Sequence, residues 1–179
     1  MEALGKEQLQ TVLQGIDEEA SLVFGELSER LRVVVAGGSA FMLRDLTRRP
    51  VTHDIDLLES ASQLREIMAH YPVVNSHMAA FCDSIPYNFE DRLVPLDMET
   101  KAILYLTPSL EDLVVMKLYA WRPNDVADIT SPSVLEAIDW GVLERLIYDP
   151  MEAQASCLSE RRYQELVSTF EQYRKAWKR

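Results

Sequence analysis

Two short segments of this chain carry residues suited to chemistry. Val33-Val34-Val35-Ala36 runs straight into Gly37-Gly38-Ser39, and Thr52-His53-Asp54-Ile55-Asp56-Leu57-Leu58 follows soon after. The first reads as a buried strand that ends in a tight small-residue turn and opens a helix. Glycines let backbone approach a ligand closely, and a helix start offers unpaired N–H groups to a phosphate. Ser39 adds a hydroxyl donor. The second segment sets two carboxylates two positions apart among apolar neighbours. In a strand, residues i and i+2 share one face, so Asp54 and Asp56 are expected to point the same way. Two anions side by side are costly unless a cation or a proton offsets them. A divalent metal is the natural remedy, because hard oxygen ligands suit magnesium. Plainer readings stand beside these: a glycine pair after a strand is often just a turn, and two acids can mark an exposed strand edge. Ile55, Leu57 and Leu58 weigh against the edge, since they imply a central strand.

Lys117 adds a third feature. On a helix from Pro108 the inward stripe reads Leu110, Leu113, Val114, Lys117, Ala120 and Trp121. A lysine in such a stripe snorkels outward or meets an anion. A nucleotide triphosphate at the sheet edge is the functional candidate for that anion. Arg122, Asp125 and Asp128 come just after and read most simply as an ion-pair cluster joining two helices. Arg44, Arg48 and Arg49, on or just past the helix after the glycine turn, are candidates to receive substrate phosphates. His53, His70 and His77 lack zinc-ligand spacing, and His53 should face away from its acidic neighbours. Met42, Met68, Met78 and Met116 read as core filler. There is no GxGxxG, no Gly-Lys-Ser/Thr and no GxSxG.

The elements that must position these residues follow from periodicity. Lys6 to Arg30 has helical spacing at Leu9, Val12, Leu13, Ile16, Leu22, Val23 and Leu27, as two helices or one broken near Gly15. A strand at Arg32–Ala36 leads to a helix over Ser39–Thr47, stopped by Arg48-Arg49-Pro50. The acid-pair strand spans Asp54–Glu59, and Ser60 is read as capping the next helix. Strand candidates come at Val73–Phe81, Ile85–Phe89 and Ala102–Leu106. Thr107-Pro108, with Glu111 and Asp112 in the first turn, is expected to start a helix capped by Thr107. Beyond Pro123 the pattern is helical. The last helix, from Ser159, sets Tyr163, Leu166, Val167, Phe170, Tyr173 and Trp177 on one side. The predicted fold class is α/β (α+β): a mixed sheet flanked by helices, with residues 1–130 as one domain and 131–179 as a C-terminal helical extension packed on it.

Composition limits the function classes. The 179 residues carry 29 acids against 18 bases, a formal charge of −11. That argues against a non-specific nucleic-acid coat, which needs clustered Lys and Arg. With 47% hydrophobic residues the chain can fill a core. Two cysteines without CxxC, no basic apolar leader and no membrane-length apolar run lead to the expectation of a cytoplasmic protein with reduced thiols and no membrane contact.

Taken in order, Gly37-Gly38-Ser39, Thr52-x-Asp54-Ile55-Asp56, and Glu111-Asp112-Leu113 leading to Lys117, Arg122, Asp125 and Asp128-Ile129 resemble the polymerase-beta-type nucleotidyltransferase superfamily. The likeness runs from about Val33 to Ile129 and is greatest to the AbiEii-like and minimal nucleotidyltransferases of bacterial toxin–antitoxin and phage-defence systems. The resemblance implies that Gly37, Gly38 and Ser39 hold the phosphates of an NTP substrate and that Asp54 and Asp56 bind magnesium or manganese. It further implies that Lys117 steadies the triphosphate and that Asp125 belongs to the helical motif completing the site. Members that transfer nucleotides usually add a third carboxylate on a later strand; the candidates are Asp91 and Asp97. A basic residue commonly precedes the position matched by Asp125, where this chain has Asn124. The expected reaction moves a nucleoside monophosphate onto an RNA end, such as tRNA, or a protein hydroxyl, with a cognate toxin or antitoxin protein as partner. The alternatives are a catalytically degenerate binding or regulatory member of the same fold and, more remotely, a metal-dependent hydrolase using Asp54 and Asp56.

Overall fold

A computed structural model describes residues 3–75 and 83–178. His77, Met78, Cys82 and the predicted strand beyond Asn75 lie outside the described residues, as does Arg179. The chain divides into two compact units. The first comprises Met1–Arg44, Arg49–Ala79 and Val94–Thr107; the second comprises Asp45–Arg48, Ala80–Leu93 and Pro108–Arg179. Among the described residues no helix is long and apolar enough to cross a membrane.

The first unit is built on a five-stranded mixed sheet of order β3-β2-β1-β5-β4. Its strands are β1 (Leu31–Ala36), β2 (Ile55–Ser60), β3 (Val74–Asn75), β4 (Val94–Pro95) and β5 (Ile103–Thr107). β1 runs antiparallel to β2 and parallel to β5. β2 and β3 are parallel, and β4 and β5 antiparallel. β1 is the central strand because Val33 to Ala36 are all apolar and all buried, the continuous run expected of a strand covered on both faces. β2 is also internal, so the acid-pair segment is not a sheet edge. Against β1, Val34 pairs with Glu59 but Val35 with Leu57. This bulge absorbs Leu58 and carries β2 on to Ser60 opposite Val33. Ser60 therefore ends a strand and does not cap a helix; a 3-10 turn (Ser62–Leu64) intervenes before α3 (Arg65–Met68).

α1 (Lys6–Phe24) is one continuous helix through Gly15, ended by Gly25 at φ 66°. A Cβ on Gly15 would lie 3.1 Å from the Tyr71 hydroxyl. The glycine thus makes room for Tyr71, against an intrinsic cost of about 1 kcal/mol in a helix interior. Leu9, Leu13, Ile16 and Ala20 form the buried stripe. The same face carries Asp17, whose carboxylate accepts from the backbone N–H groups of Lys101 (2.8 Å), Ala102 (2.9 Å) and Ile103 (2.8 Å). That bonding fixes where β5 begins, and the Tyr105 hydroxyl donates back to the Leu13 carbonyl at 2.7 Å. α2 (Gly37–Leu43) starts two residues earlier than its sequence pattern and ends at Arg44, because Asp45 takes a left-handed φ of 56°.

The second unit is helical: α4 (Leu110–Ala120), α5 (Pro123–Ile129), α6 (Pro132–Ala137), α7 (Trp140–Tyr148), α8 (Ala153–Ser156) and α9 (Glu160–Trp177). α4 is buried on every side from Asp112 to Leu118, as befits a central helix packed by α5, α7 and α9. Its cap is Ser109, whose hydroxyl accepts from the Asp112 N–H at 3.1 Å. Thr107, assigned the cap from sequence, is the buried last residue of β5. The inward stripe of α4 stops at Leu118: Ala120 and Trp121 are exposed, since Trp121 closes the helix in a left-handed conformation, φ 48°. Ile85–Phe89 forms no strand. A 3-10 turn at Phe89–Arg92 sends the Arg92 guanidinium to Asp112 (2.8 Å) and Glu152 (2.9 Å), so side-chain ion pairs anchor this segment in place of a ladder. Along α9, Tyr163, Leu166, Phe170 and Tyr173 are buried while Trp177 is half exposed. The Tyr173 hydroxyl ties α9 to α5 through the Ile129 carbonyl at 2.7 Å. Met42, Met68 and Met116 are buried as expected.

Candidate functional site

The glycine turn and one acid meet at the end of the central strand. Ala36, the last residue of β1, pairs directly with Asp56 of β2. Gly37 follows at φ 61°. A Cβ on Gly37 would lie 2.2 Å from Asp56 Oδ2, so the carboxylate fills the space a side chain would need. Both the left-handed φ and the occupied space require glycine there. The other carboxylate oxygen, Oδ1, accepts from the Asn75 amide at 3.0 Å, and Asn75 is the register partner of Asp56 on β3. Ala36 of β1, Gly37 of α2 and Asn75 of β3 thus surround Asp56.

Gly38 is required for a different reason. A Cβ there would lie 2.0 Å from Arg49 Nη2 and 3.0 Å from its Cζ. The guanidinium rests on the glycine, while Arg48 is exposed. The segment bearing Arg49 is held by a bridge in which Leu4 N–H donates to the Thr52 carbonyl (2.7 Å) and Thr52 N–H to the Leu4 carbonyl (2.9 Å). Ser39 is buried, and its hydroxyl donates to the Ala36 carbonyl at 2.8 Å. Its proton is therefore committed to the turn, leaving the oxygen as an acceptor. Asp54 stands one residue before β2 and is half buried, as Asp56 is, with buried Ile55 between them. His53 is exposed, and exposed His70 pairs with Glu19 at 2.8 Å.

Among the described residues no three His, Cys, Asp or Glu side chains gather as a metal-binding group. Asp97 is exposed after β4, in a groove shared with Glu7, Gln10 and Gln14 of α1. Asp91 is exposed in the 3-10 turn of the second unit. Asn75 was not singled out from sequence. Its only signal is a polar residue ending the apolar Val73-Val74 pair, and its partner is 19 positions away.

The other candidates form a cluster within the second unit. Lys117 Nζ meets Asp125 Oδ1 at 2.8 Å and Asp128 Oδ2 at 2.9 Å, all three being buried. Asp125 Oδ2 accepts from the Arg122 backbone N–H (3.1 Å) and its Nε (2.8 Å), and Asp128 Oδ1 accepts from the Thr47 hydroxyl at 2.7 Å. Lys117 thus meets an anion, supplied by α5. Burial pushes the Asp125 carboxyl up, but the hydrogen bond and charge of Lys117, with the Arg122 contacts, outweigh it and hold the group below the ordinary carboxylate range. Cys157 is unreactive in character: burial, with the charge of Asp83, pushes its thiol up to about 11.

The family model described as "Nucleotidyltransferase of unknown function (DUF6036)" matches residues 11–178. The chain belongs to this nucleotidyltransferase family. No curated protein and no solved structure matches it. The match spans both compact units, and the mixed sheet with C-terminal helices is consistent with a nucleotidyltransferase-like fold.

Proposed function

We propose that this nucleotidyltransferase moves a nucleoside monophosphate from an NTP to a hydroxyl of an RNA, such as tRNA, or of a protein. The observation that carries the reading is the seating of Asp56 on Gly37 at the end of β1, which joins an acid and a glycine turn at one point of the sheet. Transfer forms a bond from the acceptor oxygen to the α-phosphorus and breaks the bond from that phosphorus to the diphosphate, which leaves with the electron pair. The hydroxyl proton passes to a carboxylate or to water.

The donor set suits magnesium or manganese: Asp54 and Asp56 offer hard oxygens, and Asn75 orients Asp56 as outer hydrogen bonds orient ligating carboxylates. A metal held there would offset charge on the phosphates. Gly37, Gly38 and Ser39 are assigned to the phosphates through their backbone N–H groups, since the Ser39 hydroxyl already donates to the Ala36 carbonyl. Lys117 and Asp125 neutralise one another in the second unit, and the proposal rests on the first unit alone. A toxin–antitoxin or phage-defence setting in a bacterial cytoplasm belongs to the same proposal, and an adjacent toxin- or antitoxin-like reading frame would support it.

The test is incubation with each labelled NTP, magnesium, and tRNA or total protein. Label transfer that is lost in Asp54→Ala/Asp56→Ala is the expected result; no transfer and no nucleotide binding under any condition would sink the proposal. A second reading is a catalytically degenerate member that binds without transferring. It is favoured by the lack of a third acid beside Asp54 and Asp56 in any metal-binding group among the described residues. Nucleotide binding without transfer to any acceptor would select it.

A further inference from the structure

We infer that Arg49 is the residue that grips the triphosphate of the nucleotide, and that Gly38 is a glycine in order to admit the guanidinium. The inference rests on the nucleotide-binding reading above and extends it to a residue and a subsite. Two adjacent glycines of the turn carry opposite charges on their open faces: the Asp56 carboxylate on Gly37 and the Arg49 guanidinium on Gly38. α2 is only seven residues long, so its N–H groups alone make a weak anion site. A polyphosphate bound at this turn needs a positive charge, and Arg49 already rests there. A guanidinium suits the task, because its planar fork donates two parallel hydrogen bonds to phosphate oxygens. Arg48, the adjacent arginine, is exposed. The Leu4–Thr52 bridge holds the backbone three residues beyond Arg49, which gives the side chain a fixed base.

The two glycines differ as probes. At Gly38 the backbone does not require positive φ, and the obstructing atoms are the far end of a flexible side chain. Gly38→Ala should therefore fold and simply evict the guanidinium. Binding of a non-hydrolysable NTP analogue and of inorganic pyrophosphate, each with magnesium, is measured by calorimetry on the full chain. The variants are Arg49→Ala, Arg49→Lys, Gly38→Ala, the Gly38→Ala/Arg49→Ala pair and Asp54→Ala/Asp56→Ala. Arg49→Ala and Gly38→Ala should each weaken both ligands about tenfold or more, the size of a lost charged hydrogen bond. The pair should be no worse than Arg49→Ala alone, since both changes remove one interaction. Arg49→Lys should recover part of the affinity.

Failures separate cleanly. If the unaltered protein binds neither ligand, the nucleotide reading itself falls. If it binds both, and Asp54→Ala/Asp56→Ala weakens them while Arg49→Ala and Gly38→Ala do not, only the Arg49 assignment falls. Tighter binding in Gly38→Ala would also overturn it, making Arg49 an obstruction at the turn. A lower melting temperature of Arg49→Ala with unchanged affinity would reduce Arg49 to a structural partner.

Discussion

Asp56 and Gly37 are fitted to one another: the carboxylate oxygen lies 2.2 Å from where a glycine side chain would begin, at a residue whose φ is 61°. Gly37→Ala must therefore strain the backbone and displace a carboxylate held between strands. We expect a loss of about 1–3 kcal/mol in urea unfolding, from the left-handed conformation alone. Gly38→Ala, which moves only a side-chain tip, should lose less than Gly37→Ala in the same experiment. Equal losses would mean that the left-handed φ of Gly37 does not set the cost there.

Asp54→Ala/Asp56→Ala should abolish magnesium-dependent nucleotide transfer without unfolding the protein. The two acids lie two positions apart in the chain, and relief of like-charge repulsion is expected to offset part of the loss of the Asn75 hydrogen bond. Circular dichroism and thermal melting check the fold, and label transfer checks the activity. A double variant that melts normally and still transfers label would detach the acids from the chemistry.

What the sequence disclosed and what it hid divide along contact range. β1 was legible because Val33 to Ala36 is an uninterrupted apolar run, and α9 because its stripe recurs at helical spacing over 18 residues. The acid pair and glycine turn were legible as local motifs. Arg49 on Gly38, Asn75 on Asp56 and Asp17 on Ala102 were not, because each joins residues 11 to 85 positions apart. Element ends were misread for the same reason. Thr107 looks like a cap until β5 claims it, and Ser60 until the bulge at Leu58 lengthens β2. For Lys117 the stripe on α4 leaves snorkelling or an anion open, and periodicity along α4 alone could not say that α5 supplies the anion.

Asp17 offers a test of such a hidden contact. Three backbone N–H groups at the start of β5 converge on its carboxylate. Asp17→Ala leaves the buried Ala102 and Ile103 N–H groups, and the part-buried one of Lys101, without that acceptor. This should cost about 2 kcal/mol or more, since each unsatisfied buried donor costs about 1–3 kcal/mol. Asp17→Asn keeps one acceptor oxygen and should lose distinctly less. Urea unfolding of the two variants measures the difference, and amide exchange at Lys101–Ile103 should quicken in Asp17→Ala before it does elsewhere.

Asp125, paired with Lys117, contributes to the pH response of the second unit. The folded Asp125 carboxyl titrates below the value of 3.8 it would have when exposed. Its ionised form therefore contributes stability that is fully present above that ordinary value and is lost as pH falls through the depressed folded value. Lys117→Met reverses the sign. The ammonium that joins two buried carboxylates is then gone and Asp125 keeps only its Arg122 contacts, a change that should cost about 3 kcal/mol near pH 7. Burial still pushes the Asp125 carboxyl up while the contact that most holds it down is lost, so protonation relieves part of the penalty. Lys117→Met should accordingly gain stability as pH is lowered from 7 toward 5, a window in which the unaltered protein gains nothing from this cluster. Denaturant unfolding at stepped pH gives both curves. Parallel curves for the two proteins would mean that the Lys117–Asp125–Asp128 cluster is not coupled to folding in this way. Crossing slopes would identify it as the charge centre that holds α4 to α5, since Lys117 lies on α4 and both aspartates on α5.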